Sequence, residues 1–326
     1  MLKRIALLTL LVLGTLFTSA QAQDNLTKVN YLTSFSTFGR DAYVYVAQEL
    51  GYFKEAGLDV SINPGSGTGS VMQLISAGTA DFGPGDAATA FIAIINEGMN
   101  LKAVAAVQQN TLAAVIALES SGIRTPKDLA GRTFADSAGS TNRILLPAYA
   151  AAAGFDASTV EFVAAAPPDL PRLLASKTVD FIGQFVVGRS LIETAAGEPA
   201  VIFPYSDYLP NLYGNLILAR TDMIEKQPEV VKAFVGALMR GLAYSIDHPE
   251  ETGAILVKYA DGQNADIAAD EVRIMHDYVL PPGFTGPIGS IDPAKVNAMI
   301  QLLTEAGAIT KPGTADDVYA PGFLGQ

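Results

Sequence analysis

The period of the apolar positions switches repeatedly along this chain, and residues 44–86 show the switching most clearly. Ala47, Leu50, Gly51 and Phe53 give the first part a helical apolar side, and Gly57 closes it as a C-terminal glycine does. Leu58, Val60 and Ile62 alternate as a half-buried strand does. A glycine-rich turn over 64–69 then opens a short apolar helix over 71–77, and a further strand is predicted over 80–83. This is β-α-β-α-β order, which builds a parallel sheet with its loops at the carboxyl ends of the strands.

The same reading extends along the chain. Strands are predicted over 26–32, 101–107, 133–135, 160–163, 179–185 and 201–204, with helices over 40–50, 87–96, 142–153 and 169–175. Val179-Asp180-Phe181-Ile182-Gly183 echoes Ala80-Asp81-Phe82-Gly83, so the second half repeats the logic of the first. The last third is helical over 228–247, 249–259, 266–278 and 293–307, and the tail from 310 reads as loop. Chain crossings expected near Leu118 and Leu216 divide the molecule into a discontinuous lobe (23–117 and 217–326) and an inserted one (118–216).

Loops that leave strand carboxyl ends face the crevice of such a sheet, and they supply the candidate site. Phe35 and Phe38 stand in a Ser/Thr-rich loop, suited either to stacking on a flat ring or to covering the sheet. Ser66, Gly67 and Thr68 belong to a glycine turn that can aim N–H groups at a ligand. That turn lacks both the Gly-Lys-Ser/Thr ending of a phosphate loop and a dinucleotide fingerprint. Asp86 reads as a helix N-cap or a ligand contact. Ser137, Gly139, Ser140 and Thr141 precede a helix whose first turn carries Arg143, where the dipole disfavours a cation unless a negative group faces it. Gln184, Tyr213 and Asn215, with Tyr208 nearby, add amides and aromatic rings.

Totals narrow the function classes. The 326 residues include no cysteine, which removes disulfides, a lipidated cysteine, thiolate metal sites and cysteine nucleophiles. A formal charge of −12 argues against nucleic acid and anionic membranes as partners. Lys3 and Arg4, an apolar run over 5–17 and Ala20-Gln21-Ala22 form an export signal with cleavage expected after Ala22, which implies a periplasmic location. The two histidines, His248 and His276, show no metal-ligand spacing, and no Gly-x-Ser-x-Gly elbow occurs. No cofactor is expected.

The phrases VAQELGYFKEAGLDV…SAGTADFG and GIRTPKDLAGRTFADSAGST closely resemble the substrate-binding proteins of ABC importers. The nearest group is the NMT1/THI5-like one, with its thiamine-pyrimidine, alkanesulfonate, taurine and nitrate binders. The resemblance implies a periplasmic-binding-protein type II-like α/β fold, two lobes joined by a two-crossing hinge over a ligand cleft. It also implies a monomer that hands a small molecule to an inner-membrane ABC permease. In that family the loop over 136–141 usually meets the ligand, and Gln184 stands where a contact is often found. Phe35, Phe38, Tyr208, Tyr213, Gln184 and Asn215 favour a flat heteroaromatic such as a pyrimidine, although the chain has no tryptophan to stack on one. The alternatives are a small oxyanion held by helix N-termini and Arg143, a soluble sensor, or an enzyme like the pyrimidine synthases. Those synthases use a cysteine-rich iron motif and a consumed histidine.

Overall fold

The computed structural model describes residues 26–137 and 139–324, so the export signal expected over 1–22 lies outside the described residues. In chain order the strands are β1 Thr27–Leu32, β2 Phe35–Ser36, β3 Leu58–Asn63, β4 Gly65–Ser66, β5 Phe82–Asp86 and β6 Leu101–Ala106, then β7 Ala113–Leu118, β8 Thr133–Asp136, β9 Glu161–Ala164, β10 Phe181–Phe185, β11 Ala200–Pro204 and β12 Asn215–Arg220. The helices are α1 Ala42–Glu49, α2 Tyr52–Glu55, α3 Thr68–Ser76, α4 Ala87–Ile92, α5 Thr141–Ala153, α6 Leu170–Ala175 and α7 Arg189–Ala196, then α8 Thr221–Lys226, α9 Pro228–Asp247, α10 Pro249–Tyr259, α11 Ala265–Val279, α12 Pro293–Glu305 and α13 Ala315–Val318.

Two five-stranded sheets organise these elements, in the orders β3-β1-β5-β12-β6 and β11-β7-β10-β8-β9. In each, four strands share one direction and a single strand, β12 in the first sheet and β7 in the second, runs antiparallel between its two neighbours. The parallel strands are joined through helices that bury one face, which is how an apolar stripe at helical spacing covers a sheet. On α9, Val231, Phe234, Leu238 and Leu242 are completely buried, and Phe234 stacks on Phe82 of β5 with centroids 4.1 Å apart.

The chain changes sheet between Ala106 and Ala113, ahead of the crossing expected near Leu118, so all of β7 belongs to the second lobe. It returns between Pro204 and Asn215. The two crossings pair with each other: Val107 N donates to Asn215 O at 2.8 Å and Thr111 N to Leu212 O at 2.9 Å. Lys295 of α12 reaches over them, donating to Gln109 O at 2.5 Å and Asn110 Oδ1 at 3.1 Å while its ammonium lies 4.7 Å from the Tyr213 ring.

Local departures have local causes. The helix expected to run on to Gly57 breaks at Gly51, which takes φ +77°, and restarts as α2. The tail is not all loop: α13 forms in it, and Tyr319 bridges to Ala103 at the edge of the first sheet.

Candidate functional site

Loops from both sheets meet between the lobes. Lobe 1 contributes the segment after β1, the β4–α3 turn, the end of β5 and the start of β12, where Asn215 pairs with Asp86. Lobe 2 contributes the β8–α5 loop and the end of β10. The lobes touch here. Thr141 Oγ1, at the start of α5, donates to Asp86 Oδ1 at 2.6 Å, and Thr89 Oγ1 lies 3.2 Å from the same hydroxyl. On the far side Ile274 and Tyr278 of α11 pack against Val186 and Val187 of lobe 2.

Carboxylates dominate this region. Asp86 caps α4, accepting from Thr89 N at 3.1 Å, and burial pushes its carboxyl above the ordinary aspartate value despite the Thr141 and Thr89 bonds that pull it down. Asp136, at the carboxyl end of β8, accepts from Ser137 N at 2.7 Å and from Ser140 Oγ. Burial raises it too, against the pull of Ser140, Ser137 and Arg143. Its carboxylate lies directly on Gly183, where a Cβ would fall 1.9 Å from Oδ2, so only glycine fits there. Asp41 accepts from Ser34 N at 3.0 Å and Ser34 Oγ at 2.8 Å, and Glu271 accepts from Arg40 N at 3.2 Å. Burial raises both carboxyls, with Arg40 opposing.

Arg40 is the cation among these acids. Its guanidinium sits 3.7 Å from Asp41, 5.0 Å from the Phe38 ring and 5.6 Å from the Phe185 ring of the other lobe. It therefore stacks between aromatic faces contributed by both lobes, as a planar delocalised cation does.

The residues expected at the site fall into two groups. The structure brings Phe35, Phe38, Ser66, Gly67, Thr68, Asp86, Ser137, Gly139, Ser140, Thr141, Gln184 and Asn215 to the strand ends where the lobes meet. Phe35 pairs with Ser66 across β2 and β4, and its ring is parallel to Phe38 within 5° at 6.5 Å. Thr68 Oγ1 accepts from Asp86 N at 3.1 Å. Gln184 Oε1 accepts from Phe185 N at 2.9 Å.

Arg143 and Tyr213 are placed elsewhere. Arg143 turns away along α5 and stacks 4.5 Å over Phe162. Its backbone N–H is the one bonded to the Ser140 cap. Tyr213 is buried in the core beneath the crossings, its hydroxyl accepting from Asp292 N at 2.8 Å. Tyr208 packs edge-on against Tyr149 at 5.4 Å. Arg40, Asp41, Phe185 and Glu271 were not singled out from the sequence, and Asp136 entered only as the first residue of the loop over 136–141. A charged Arg-Asp pair directly after the aromatic loop was the available signal for the first two; Glu271 lies some 230 residues away and had none.

Against known protein families, residues 41–252 match the model described as NMT1/THI5 like. The chain belongs to the NMT1/THI5-like family. A relative from Halalkalibacterium halodurans named formylaminopyrimidine-binding protein is 23% identical over 320 residues, 96% of each chain. One from Legionella pneumophila named 4-amino-5-hydroxymethyl-2-methylpyrimidine phosphate synthase is 25% identical over 70% of this chain and 72% of its own. Among solved structures, the periplasmic aliphatic sulphonate binding protein SsuA from Escherichia coli superposes with a TM-score of 0.70 at 18% identity, covering 93% of this chain and 94% of that one. The two-lobed fold of this NMT1/THI5-like chain is thus that of periplasmic binding proteins.

Proposed function

We propose that the protein is the solute-binding component of an ABC importer, and that its cleft takes a flat, hydrogen-bond-donating heteroaromatic of the aminopyrimidine kind. The observation that carries the ligand class is the acidity of the cleft. Asp86, Asp136, Asp41 and Glu271 gather there, and Arg40 is already engaged by Asp41 and by two aromatic rings. Each carboxylate already accepts from the chain, and its remaining lone pairs can take further N–H donors, whereas a sulfonate or nitrate would need unpaired cations or donors. Phe35, Phe38 and Phe185 supply faces for a flat ring, which makes an aromatic sandwich reasonable without tryptophan. The name of the Halalkalibacterium relative, which aligns over nearly its full length, supports the same chemistry.

Ligand between the lobes adds contacts available only in the closed arrangement, so it shifts the equilibrium toward closure about the paired crossings. The closed outer surface is what an inner-membrane permease reads. The reading includes export to a periplasm, a monomer, and binding without turnover. His248 supports the last point, since its ring stacks on Tyr244 at 4.1 Å on the outer helices of lobe 1. His276 is paired with Asp277 at 2.9 Å.

An oxyanion is the second reading, favoured by one observation: α3 starts after Gly67 without a side-chain cap, so its first N–H groups have no side-chain acceptor. A thermal-shift panel separates the two. A ligand at a hundredfold excess over Kd adds about 2.7 kcal/mol of stability. Aminopyrimidines are expected to raise Tm, and taurine, alkanesulfonates and nitrate to leave it in place; the reverse pattern overturns the ligand assignment. Native mass spectrometry of the purified protein would identify solute carried through purification. Conversion of an aminopyrimidine precursor by the pure protein would refute the binder reading.

A further inference from the structure

Arg143, whose charge still pulls on Asp136, turns with the outer face of α5 away from the cleft, and together they build a cavity of their own. It has a volume of about 490 Å³ and lies between α5, the turn after it and the edge strand β9. Phe134 and Leu146 form its buried floor, and Phe155, Val160 and Phe162 form its walls. That size is within the range of small-molecule pockets, as is a lining of apolar groups with few polar ones.

Two polar features converge on it. The Arg143 guanidinium stacks on Phe162, 4.5 Å from the ring centroid, and makes no ion pair among the described residues. Its N–H edge therefore remains available for a bidentate acceptor. The second feature is Pro147 within α5. Proline has no N–H, so the Arg143 carbonyl four residues earlier lacks its helical donor. The carboxylate of Asp156 stands at the solvent rim and is occupied by Ser158 N at 2.9 Å. A held cation beside aromatic walls selects a ligand with a carboxylate at one end and a ring at the other.

We propose that lobe 2 carries a second small-molecule site on its outer face, in which Arg143 and Phe162 bind an aromatic carboxylate. This site is separate from the cleft and does not depend on what the cleft binds. The carboxylate pairs with the Arg143 guanidinium, and the ring enters between Phe155 and Phe162. The stack on Phe162 fixes the guanidinium in advance, which lowers the ordering cost of binding.

The test is titration of the full chain with benzoate, followed by calorimetry and by saturation-transfer NMR. Saturable binding is expected, weakened about tenfold or more in Arg143→Met and in Phe162→Leu, with tenfold equal to 1.4 kcal/mol. Benzylamine, with the opposite charge, should bind at least tenfold more weakly than benzoate. An excess of 4-aminopyrimidine should not displace benzoate. Circular dichroism of both variants establishes that they are folded. The proposal is overturned by absence of saturable benzoate binding, by wild-type affinity in folded Arg143→Met, by equal affinity for benzylamine, or by displacement by 4-aminopyrimidine.

Discussion

At the scale of single residues, the contact that distinguishes a gripped cleft from an open one is Thr141 on Asp86, at 2.6 Å between side chains of different lobes. Thr141→Val keeps the shape and removes the donor. A hydrogen bond to a charged group contributes about 1.5–3 kcal/mol, so ligand affinity measured by calorimetry should fall about tenfold or more. Unchanged affinity would mean that the bond is not part of the ligand-bound state. Gly183 is the stricter position. Its alanine variant places a methyl group 1.9 Å from Asp136 Oδ2 and 2.5 Å from Cγ, so the buried carboxylate must move. Overpacking of this kind costs about 1–3 kcal/mol, read as a lower urea midpoint, and the displaced Asp136 should weaken ligand binding as well. A variant with wild-type stability would contradict the close approach. Asp86 as an N-cap was legible from the sequence, because a carboxylate before an apolar helix has few other local roles. The orientation of Arg143 was not, because a first-turn cation can turn either toward the crevice or back along the helix. The Phe162 ring on β9 decided it.

At the scale of elements, α5 links both sites. Its first turn faces the cleft through Thr141, and its middle lines the outer cavity through Arg143 and Pro147. Pro147 is exposed and sits in the helix interior. Pro147→Ala would restore the hydrogen bond to the Arg143 carbonyl, offset in part by a more flexible unfolded chain. A net gain of about 1–2 kcal/mol in thermal or urea denaturation is expected. A loss would show that the helix is shaped around the proline. Helix α11 has a similar double role. Glu271 meets Arg40 in the cleft while Ile274 and Tyr278, on the same helical stripe, brace the second lobe. The sequence gives the apolar period of this helix readily, but its period cannot say which lobe it touches.

At the scale of the whole molecule, pH should act in an unusual direction. Asp86, Asp136, Asp41 and Glu271 all hold protons more tightly when folded than their ordinary values of 3.8 and 4.5. The folded state therefore binds more protons than the unfolded one as pH rises above those values. Stability from these groups is fully present below their unfolded values and is lost as pH rises through the folded ones. The carboxyls held low, such as Asp128 and Glu250, lose their contribution only below the ordinary range and lie at the surface. A formal charge of −12 adds self-repulsion that protonation relieves. Lowering the pH from 7.5 toward the ordinary carboxylate range should thus raise the melting temperature. A monotonic fall on acidification would refute the burial of these carboxyls. Lys295 adds an alkaline counterpart: burial lowers it to about 8 from 10.5, so its contribution to stability rises as pH goes from 8 toward 10.5.

The sequence by itself determined the alternation of strands and helices, the two halves with their echoed Asp-Phe motif, and the loops that leave the strand carboxyl ends. Those features follow from period, glycine placement and the rule that crevice loops leave strand carboxyl ends, all of them local in the chain. Tertiary structure alone decided which sheet β7 joins, that Tyr213 lies under the crossings, and that Arg40, Phe185 and Glu271 come together across separations of more than a hundred residues. The physical reason is that charge and stacking act through space. A local pattern fixes which face of an element is apolar, while the partner brought against that face is set only when the two sheets pack.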